Sequence, residues 1–261
     1  MKIATWNVNS IRSRLEHVTG WLGQNPVDVL CLQETKVVDA DFPRSPFIEL
    51  GYQPYIYGQK SYNGVALLSR APLDAVSMGF TPLVGEATGA AFDEQKRVIT
   101  GVLDGVRIVN LYVPNGSSLG SDKYLYKLSW LTVLRDYLKT LLETHPKLLV
   151  CGDFNIALED RDIHDPTGRE RQVMATDAER TALSAVLDLG LADAFRKFNQ
   201  EDEQFSWWDY RAAAFRRNLG WRIDHHYLSP ALYAAAKSCA IDKTPRTLEK
   251  PSDHAPVIVE L

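Results

Sequence analysis

The sequence predicts an α/β fold in which two packed β-sheets are flanked by helices. Short apolar runs rich in β-branched residues recur along the chain and indicate strands. Segments with apolar residues at every third or fourth position indicate helices between some of these strands. The pattern contains no repeat, and 45% of the 261 residues are hydrophobic, which suffices for one large core. We therefore expect a single domain spanning residues 1–261.

Each predicted element follows from a local pattern. Apolar runs predict strands at residues 3–8, 27–32, 64–68, 98–103, 107–113, 148–151, 226–228 and 257–261. The predicted helices cover residues 11–22, the leucine-rich stretch that follows Ser121 and Asp122, and residues 177–190. Residues 158–177 are polar and contain Pro166 and Gly168, so they predict a long surface loop.

The composition limits the possible functions and locations. At a net charge of −4 the whole molecule does not attract polyanions, so a nucleic-acid site would have to be a local basic patch. Cys31, Cys151 and Cys239 are an odd number without close spacing, which argues against a disulfide framework and a cysteine zinc site. The first residues lack the apolar stretch of a signal peptide, and no run approaches a membrane span. We therefore expect a soluble protein in the cytoplasm.

Polar residues border several predicted strands, at positions where packing gives no reason for them. They are Asn7, Glu34, Asp153, Asn155, Asp224, Asp253 and His254. Taken singly, each is typical of a turn or a helix cap. Four carboxylates at one sheet edge would repel, since each pair at about 5 Å costs roughly 3 kcal/mol at an effective dielectric of about 20. A bound cation would relieve this repulsion, and carboxylate and amide oxygens favour magnesium or manganese over zinc.

One histidine is expected close to these carboxylates. His254 follows Asp253 directly and is able to meet Asp224 across the sheet. The remaining histidines are expected at the surface or in structural roles: His17, His145, His164, His225 and His226. His254 is therefore the histidine that the sequence favours for chemistry.

Six ordered motifs, which together span nearly the whole chain, resemble the exonuclease III family of abasic-site endonucleases, in the endonuclease/exonuclease/phosphatase superfamily. The motifs are Thr-Trp-Asn-Val-Asn at Asn7, Leu-Gln-Glu-Thr-Lys at Glu34, Leu-Tyr-Val-Pro-Asn-Gly at Tyr112, Gly-Asp-Phe-Asn at Asp153, Trp-Arg-Ile-Asp at Asp224 and Pro-Ser-Asp-His-Ala-Pro at His254. The resemblance implies a four-layer α/β sandwich and a DNA phosphodiesterase that depends on Mg²⁺ or, alternatively, Mn²⁺. The implied activities are cleavage 5′ to abasic sites, 3′ to 5′ exonuclease action and 3′-end cleaning. The implied substrate is double-stranded DNA with abasic sites or damaged 3′ ends, bound by a monomer.

By the same resemblance, the site residues divide by task. The metal ligands would be Glu34, as the main one, with Asp253, Asn7 and Asn9. Asp153 would activate or orient the attacking water with help from Asn155. His254, paired with Asp224, would hold the scissile phosphate together with Tyr112. Whether Asp153 or His254 takes the proton is left open by the sequence.

Aromatic and arginine side chains alternate between residues 205 and 224, a composition that suits sugars, bases and phosphates. Positions that match the family's pocket for a baseless sugar are Trp207, Trp221 and Ile223, whereas Trp208 is expected in the core. Arg211 matches a residue that reaches into the duplex. Positions that resemble DNA-backbone contacts are Tyr62, Asn115, Lys123, Tyr126 and Lys127. Lys123 and Lys127 would alternatively form a solvated helix face.

Met174 departs from the family pattern, which has a small residue, glycine and an aromatic where this chain has Val173, Met174 and Ala175. We expect Met174 to reshape the wall of the sugar pocket. The balance among abasic cleavage, 3′-end cleaning and exonuclease action is therefore open.

Three other functions fit parts of the sequence. Residues 116–120 match Gly-x-Ser-x-Gly and would make Ser118 the nucleophile of a serine esterase, but no Gly-rich oxyanion segment accompanies them. A phosphoinositide or other non-DNA phosphoesterase of the same superfamily would keep the metal site, but the tryptophan-arginine segment disfavours it. A DNA-binding module without activity conflicts with the complete set of motifs from Asn7 to His254.

Overall fold

The computed structural model describes residues 1–261 and contains two six-stranded sheets, each covered by helices on its outer face. In chain order the strands are β1 (Lys2–Asn7), β2 (Val29–Gln33), β3 (Gln53–Tyr57), β4 (Val65–Ser69), β5 (Asp74–Met78), β6 (Val98–Leu103), β7 (Val106–Tyr112), β8 (Leu148–Asp153), β9 (Ala192–Asp193), β10 (Trp207–Trp208), β11 (Gly220–Trp221), β12 (Asp224–Leu228), β13 (Ser238–Ile241) and β14 (Val257–Glu260). The helices are α1 (Leu15–Gln24), α2 (Arg44–Glu49), α3 (Thr81–Val84), α4 (Glu86–Asp93), α5 (Asp122–Thr144), α6 (Asp177–Leu187), α7 (Ala194–Phe198) and α8 (Pro230–Ala235). None of these helices is both long enough and apolar enough to cross a membrane.

The two sheets pack face to face around one apolar core. The first sheet has the order β13-β14-β1-β2-β4-β3, and the second has the order β5-β6-β7-β8-β12-β9. Side chains from both sheets meet in the buried core between them, among them Val29, Val65, Ile108 and Leu149. The outer face of the first sheet is covered by α1 and α2, and that of the second by α5 and α6. The predicted four-layer α/β sandwich is therefore confirmed.

The sequence pattern predicts every interior strand of the two sheets and none of the four edge strands. The edge strands are β3, β5, β9 and β13, and the short ribbon of β10 and β11 was not predicted either. An edge strand has a less enclosed environment and needs no continuous apolar run. In β5, for example, no residue is buried, and β13 buries only Cys239.

The predicted helices are present with shifted ends. The longest, α5, begins at Asp122, and the Ser121 hydroxyl caps it by accepting a hydrogen bond from the Tyr124 N–H at 3.2 Å, as the sequence indicates. The first helix begins at Leu15 rather than residue 11, because residues 11–14 form turns. The third begins at Asp177 as predicted but ends at Leu187. The polar segment between β8 and α6 forms a loop with two short 3₁₀ turns.

Strand register aligns three polar residues in one row of the second sheet. The parallel pairing of β7 with β8 places Tyr112 beside Asp153, and the antiparallel pairing of β8 with β12 places Asp153 beside Asp224. In the first sheet, the parallel strands β1 and β2 end together, which brings Asn7 and Glu34 to the same end. The fold thus gathers residues from distant parts of the chain at one edge of the sandwich.

Gly152 makes the close pairing of β7 with β8 possible. Its φ is +145°, and a Cβ atom at this position would lie 1.9 Å from the Leu111 carbonyl oxygen. Only glycine tolerates this contact and this backbone conformation. The alignment of Tyr112 with Asp153 therefore depends on a residue without a side chain.

Candidate active site

Asn7 connects the two sheets at the centre of the candidate active site. Its side-chain N–H donates to Glu34 Oε1 at 2.8 Å and to Asp153 Oδ2 at 2.9 Å. Asn7 is fully buried and Asp153 is 1% exposed, so these bonds lie largely out of water. The backbone of Glu34 turns here with a φ of +51°, a conformation that is uncommon outside glycine. Such geometry is often found at functional sites.

The carboxylate of Asp153 is held by donors on several sides. The Asn155 backbone N–H donates to Oδ1 at 2.9 Å, and the Asn155 side-chain N–H lies 3.3 Å from Oδ2. Burial raises the pKa of Asp153 to about 7, with a further contribution from the Asp224 charge and against the lowering effect of His254. A carboxyl group with this pKa is able to exchange protons near neutral pH.

His254 lies between the two aspartates. Its Nδ1 is 2.9 Å from Asp224 Oδ2, and its Nε2 is 3.7 Å from Asp153 Oδ2. Burial lowers the pKa of His254, but the negative charges of Asp224 and Asp153 outweigh it and raise this pKa to about 10. The imidazole is therefore cationic at neutral pH, with Nδ1 as the donor to Asp224.

Ser206 and Arg97 support this group and were not predicted from the sequence. The Ser206 hydroxyl donates to Asp224 Oδ2 at 2.7 Å and fixes the carboxylate that holds His254. The Arg97 guanidinium stacks 4.5 Å from the centre of the Tyr112 ring and donates to the Tyr112 carbonyl oxygen at 3.1 Å. Ser206 lies in the aromatic-arginine segment beside Trp207 but carries no local signal of its own, and Arg97 lies outside every motif, so their roles appear only from long-range contacts.

Three ionisable side chains converge at one point of the site. Ligand atoms of Glu34, Asp153 and His254 lie within 4.8 Å of one another. The two carboxylates suit a hard divalent ion, whereas the protonated imidazole suits an anion such as phosphate. Lys36 Nζ, 2.9 Å from Glu34 Oε2, supplies the positive charge that this carboxylate contacts in the structure.

The other predicted metal ligands surround this group. Asn9 accepts from Lys36 Nζ through its side-chain oxygen at 2.5 Å and donates to Asp253 Oδ1 at 3.0 Å. The second oxygen of Asp253 accepts from Trp207 Nε1 at 2.9 Å. The structure thus brings Glu34 and Asn7 directly to Asp153, whereas Asp253 links Asn9 to Trp207.

A small buried apolar cluster lies next to these residues, joined to them by the bond between Trp207 and Asp253. Ala157, Ile163, Ala175, Trp221 and Ile223 form a buried cluster, against which Trp207 and Met174 pack. The backbone of Met174 has a φ of +78°, and its sulfur lies 3.4 Å from the Asn115 side-chain nitrogen. Trp208 is fully buried, in agreement with its expected core position. The residues predicted to form a sugar pocket are therefore neighbours, and Met174 packs against the same cluster.

A cavity of about 710 Å³ is lined in part by Tyr112. Its lining includes the predicted backbone contacts Tyr62, Asn115, Lys123 and Tyr126. Arg211 is 88% exposed and pairs with Asp209 at 2.8 Å, so its guanidinium is accessible from solvent. The four cavity residues thus line one accessible surface beside Tyr112, and Arg211 is a separate exposed position.

Both predictions for Lys127, a DNA-backbone contact and a solvated helix face, are wrong. Lys127 is fully buried and pairs with Glu179, because α5 turns this side chain towards the interior. It neither reaches a DNA backbone nor belongs to a solvated face. His225 and His226 are also fully buried, which agrees with a structural role and not a surface one.

Ser118 has no arrangement that would make it a nucleophile. Its backbone carbonyl accepts from the Ser121 hydroxyl at 2.7 Å, which belongs to the cap of α5. His254 is held by Asp224 and Asp153 instead. The Gly-x-Ser-x-Gly match is therefore a helix-capping turn.

Comparison with known proteins agrees on one family. The profile described as the Endonuclease/Exonuclease/phosphatase family matches residues 4–254. The chain is 34% identical to exodeoxyribonuclease III of Haemophilus influenzae, with 100% of this chain and 99% of the relative covered. It is 42% identical to the 3′ phosphatase NExo from Neisseria, solved bound to a product DNA hairpin, with a TM-score of 0.95 and coverage of 100% and 99%. For an AP endonuclease structure from Archaeoglobus fulgidus the identity is 39%, the TM-score 0.93 and the coverage 100% and 99%.

Proposed function

Because the chain belongs to the endonuclease/exonuclease/phosphatase family, we propose that it is a magnesium-dependent phosphodiesterase that cleaves DNA 5′ to abasic sites or removes groups and nucleotides from 3′ ends. The resemblance to the exonuclease III family, inferred from the motifs, is confirmed by relatives named exodeoxyribonuclease III and AP endonuclease. The chain is accordingly a hydrolase and a nuclease of DNA repair. Mg²⁺ as the particular ion, and the preferred DNA end or lesion, belong to the proposal.

One observation carries the proposal: Asp153 lies between two amide donors and a cationic imidazole. Asn7 and Asn155 hold its oxygens, and His254 Nε2 lies 3.7 Å away. A phosphodiester oxygen placed beside His254 would meet a positive charge where negative charge develops in the transition state. A water beside Asp153 would meet a base with a pKa of about 7.

The residues divide the reaction as follows. Asp153 orients the attacking water and accepts its proton, with Asn155 fixing the carboxylate. His254, kept protonated by Asp224, donates to a phosphoryl oxygen, and Tyr112 on the neighbouring strand binds the same group. Glu34, supported by Asn7, Asn9 and Asp253, is suited to hold a divalent cation, which would stabilise the charge of the phosphoryl oxygens.

Substrate preference depends on the apolar cluster. Trp207, Trp221 and Ile223 pack in one apolar cluster, and by the family resemblance they would form the wall of a pocket for a sugar without a base. Met174 packs against the same cluster, so in the proposed pocket its side chain would occupy space next to the sugar. We therefore place 3′-end removal ahead of internal abasic cleavage for this chain.

The catalytic unit is proposed to be one domain, residues 1–261, acting as a monomer. The candidate catalytic groups come from strands of both sheets and from distant parts of the chain, which supports one domain as the catalytic unit. The three cysteines are buried free thiols, which is consistent with the reducing environment of the cytoplasm.

The test uses three duplex DNAs that carry an abasic analogue, a 3′-phosphate or a plain recessed end, each with Mg²⁺ and with a chelator. We expect cleavage of at least one DNA with Mg²⁺ and none with the chelator. Activity that survives chelation would reject the metal mechanism. A parallel assay on phosphoinositide distinguishes the lipid-directed alternative, and sensitivity to a serine-directed phosphonate would point to Ser118.

A further inference from the structure

Lys127 and Glu179 form an ion pair without solvent exposure behind the candidate active site. Lys127 Nζ lies 2.5 Å from Glu179 Oε1, and both side chains are 0% exposed. A buried ammonium is costly unless its charge and its donors are matched. Here Nζ also donates to the carbonyl oxygens of Asn155 at 2.7 Å and Asn115 at 3.1 Å. All three donors of the ammonium group are therefore used.

Both carboxylate oxygens of Glu179 also have hydrogen-bond partners. Its Oε1 accepts from the Met174 N–H at 3.0 Å, in addition to Lys127. Its Oε2 accepts from the Thr176 N–H at 3.1 Å and from the Thr176 hydroxyl at 2.8 Å. The pair thus joins three backbone segments, at Asn115, at Asn155 and from Met174 to Thr176.

Each of these segments carries a residue of the site. Asn155 holds Asp153, Asn115 donates to Asn155 Oδ1 at 3.0 Å, and Met174 packs against the apolar cluster. Asn155 and Met174 have φ values of +48° and +78°, which cost energy for residues other than glycine. Backbone in such conformations persists only where its surroundings fix it, and the pair supplies the fixing bonds.

We propose that the Lys127–Glu179 pair is a positioning pair. It fixes Asp153 and Asn155, which would orient the attacking water, relative to Met174 at the proposed sugar pocket. The inference rests on the proposed function of this site. Neither residue touches substrate, and both act through the Asn155 carbonyl and the Met174 N–H. An apolar pair of similar volume would fill the same space but would form none of these bonds. The charged groups therefore align the backbone at Asn155 with the backbone at Met174, which apolar packing alone does not do.

The experiment separates alignment from stability. Lys127→Met, Glu179→Met and the double variant are compared with the wild type and with Lys139→Met, the same substitution at an exposed site of α5. Unfolding midpoints are measured together with kcat and KM on abasic and recessed-end duplexes. Each single variant leaves one buried charge unpaired and is expected to unfold at a lower temperature. The double variant should regain part of the midpoint, because no unpaired charge remains, although the backbone groups of Asn115, Asn155, Met174 and Thr176 lose these partners.

Turnover gives the decisive result. We expect the double variant to keep a kcat about tenfold or more below that of the wild type, with a changed ratio of abasic to recessed-end cleavage. Lys139→Met should match the wild type in every measurement. A double variant with wild-type kcat and a wild-type substrate ratio would show that the pair serves only stability, and would overturn the proposal.

If the double variant does not fold, Glu179→Gln is assayed below its unfolding transition, because it keeps the side-chain volume and removes the charge. An unchanged substrate ratio in that variant would also overturn the proposal. A wild-type protein inactive on all three DNAs would contradict the proposed function instead, before any variant is compared.

Discussion

Asp153 and Asp224 are register partners on neighbouring strands, yet they face different nitrogens of the same imidazole. Asp224 accepts from His254 Nδ1 at 2.9 Å, and Asp153 lies 3.7 Å from Nε2. Asp224 thus keeps the ring charged from one side. The opposite side, where Nε2 and Asp153 lie, remains for the reacting groups. Changes at Asp153 should therefore affect the reaction itself, and changes at Asp224 should affect the charge of His254.

Asp153→Asn should remove the proposed base while keeping the shape of the site. We expect kcat on the preferred DNA to fall about a thousandfold or more, because the amide accepts no proton. DNA binding, measured by fluorescence anisotropy, should change little. Asp136→Asn, at an exposed position of α5, is the matched control. Near-normal turnover by Asp153→Asn would exclude this residue as the base.

The pH dependence of kcat should identify the proton acceptor. Asp153, with a pKa of about 7, gains its charge as the pH rises, and His254 loses its charge near pH 10. If Asp153 is the base, activity rises towards pH 7 and falls near pH 10. If His254 were the base, activity would rise only near pH 10. Because Asp153 and His254 interact, the apparent pKa values of the rising and falling limbs of the kcat profile describe the pair and not each residue alone.

Asp224→Asn checks the origin of the alkaline limb. The Asp224 charge is the largest influence that raises the pKa of His254. Its removal should therefore move the falling limb to lower pH, as read from the complete kcat profile. An alkaline limb that stays in place would separate that limb from His254.

Met174→Gly should shift the substrate preference towards internal abasic sites. The substitution clears the pocket wall and relieves the left-handed backbone at this position. We expect kcat/KM on the abasic duplex to rise relative to the recessed-end duplex by about tenfold, the scale of one or two methylene groups in a pocket. Met174→Leu keeps the bulk and should keep the wild-type ratio. An equal ratio in both variants would remove Met174 from substrate selection.

Lys123→Gln tests the cavity next to Tyr112 as a DNA-backbone site. Losing one phosphate contact should weaken binding to all duplexes alike and reduce the slope of log K against log salt by about 1. Lys139→Gln, exposed further along α5, is the control and should leave the slope unchanged. An unaltered slope in Lys123→Gln would exclude a phosphate contact there.

Residues that end interior strands could be found from the sequence. Asp153, Asp224 and Glu34 adjoin apolar runs, and a polar group in that position is visible without a structure. Which strands are neighbours is not visible, because register is set by pairing between distant segments. The row of Tyr112, Asp153 and Asp224 therefore appears only in the folded sheet.

Lys127 shows a second limit of sequence patterns. A lysine in a helix is usually solvated, and its burial depends on a carboxylate that lies 52 positions further along the chain. Ser206 is similar, since its importance comes from the Asp224 oxygen it contacts. The edge strands were missed for a simpler reason: their sequences lack the continuous apolar run that marks an interior strand.

Gly152 has a consequence for how this chain tolerates substitution. It carries no functional group, yet any added side chain would push β8 away from β7 at the Leu111 carbonyl. The residues on either strand that must stay level with each other, Tyr112 and Asp153, would then part. In a survey of all single substitutions scored by DNA cleavage, position 152 should be as intolerant as the acidic residue that follows it. Loss of activity at a position would then report the spacing of two strands and not a lost reactive group.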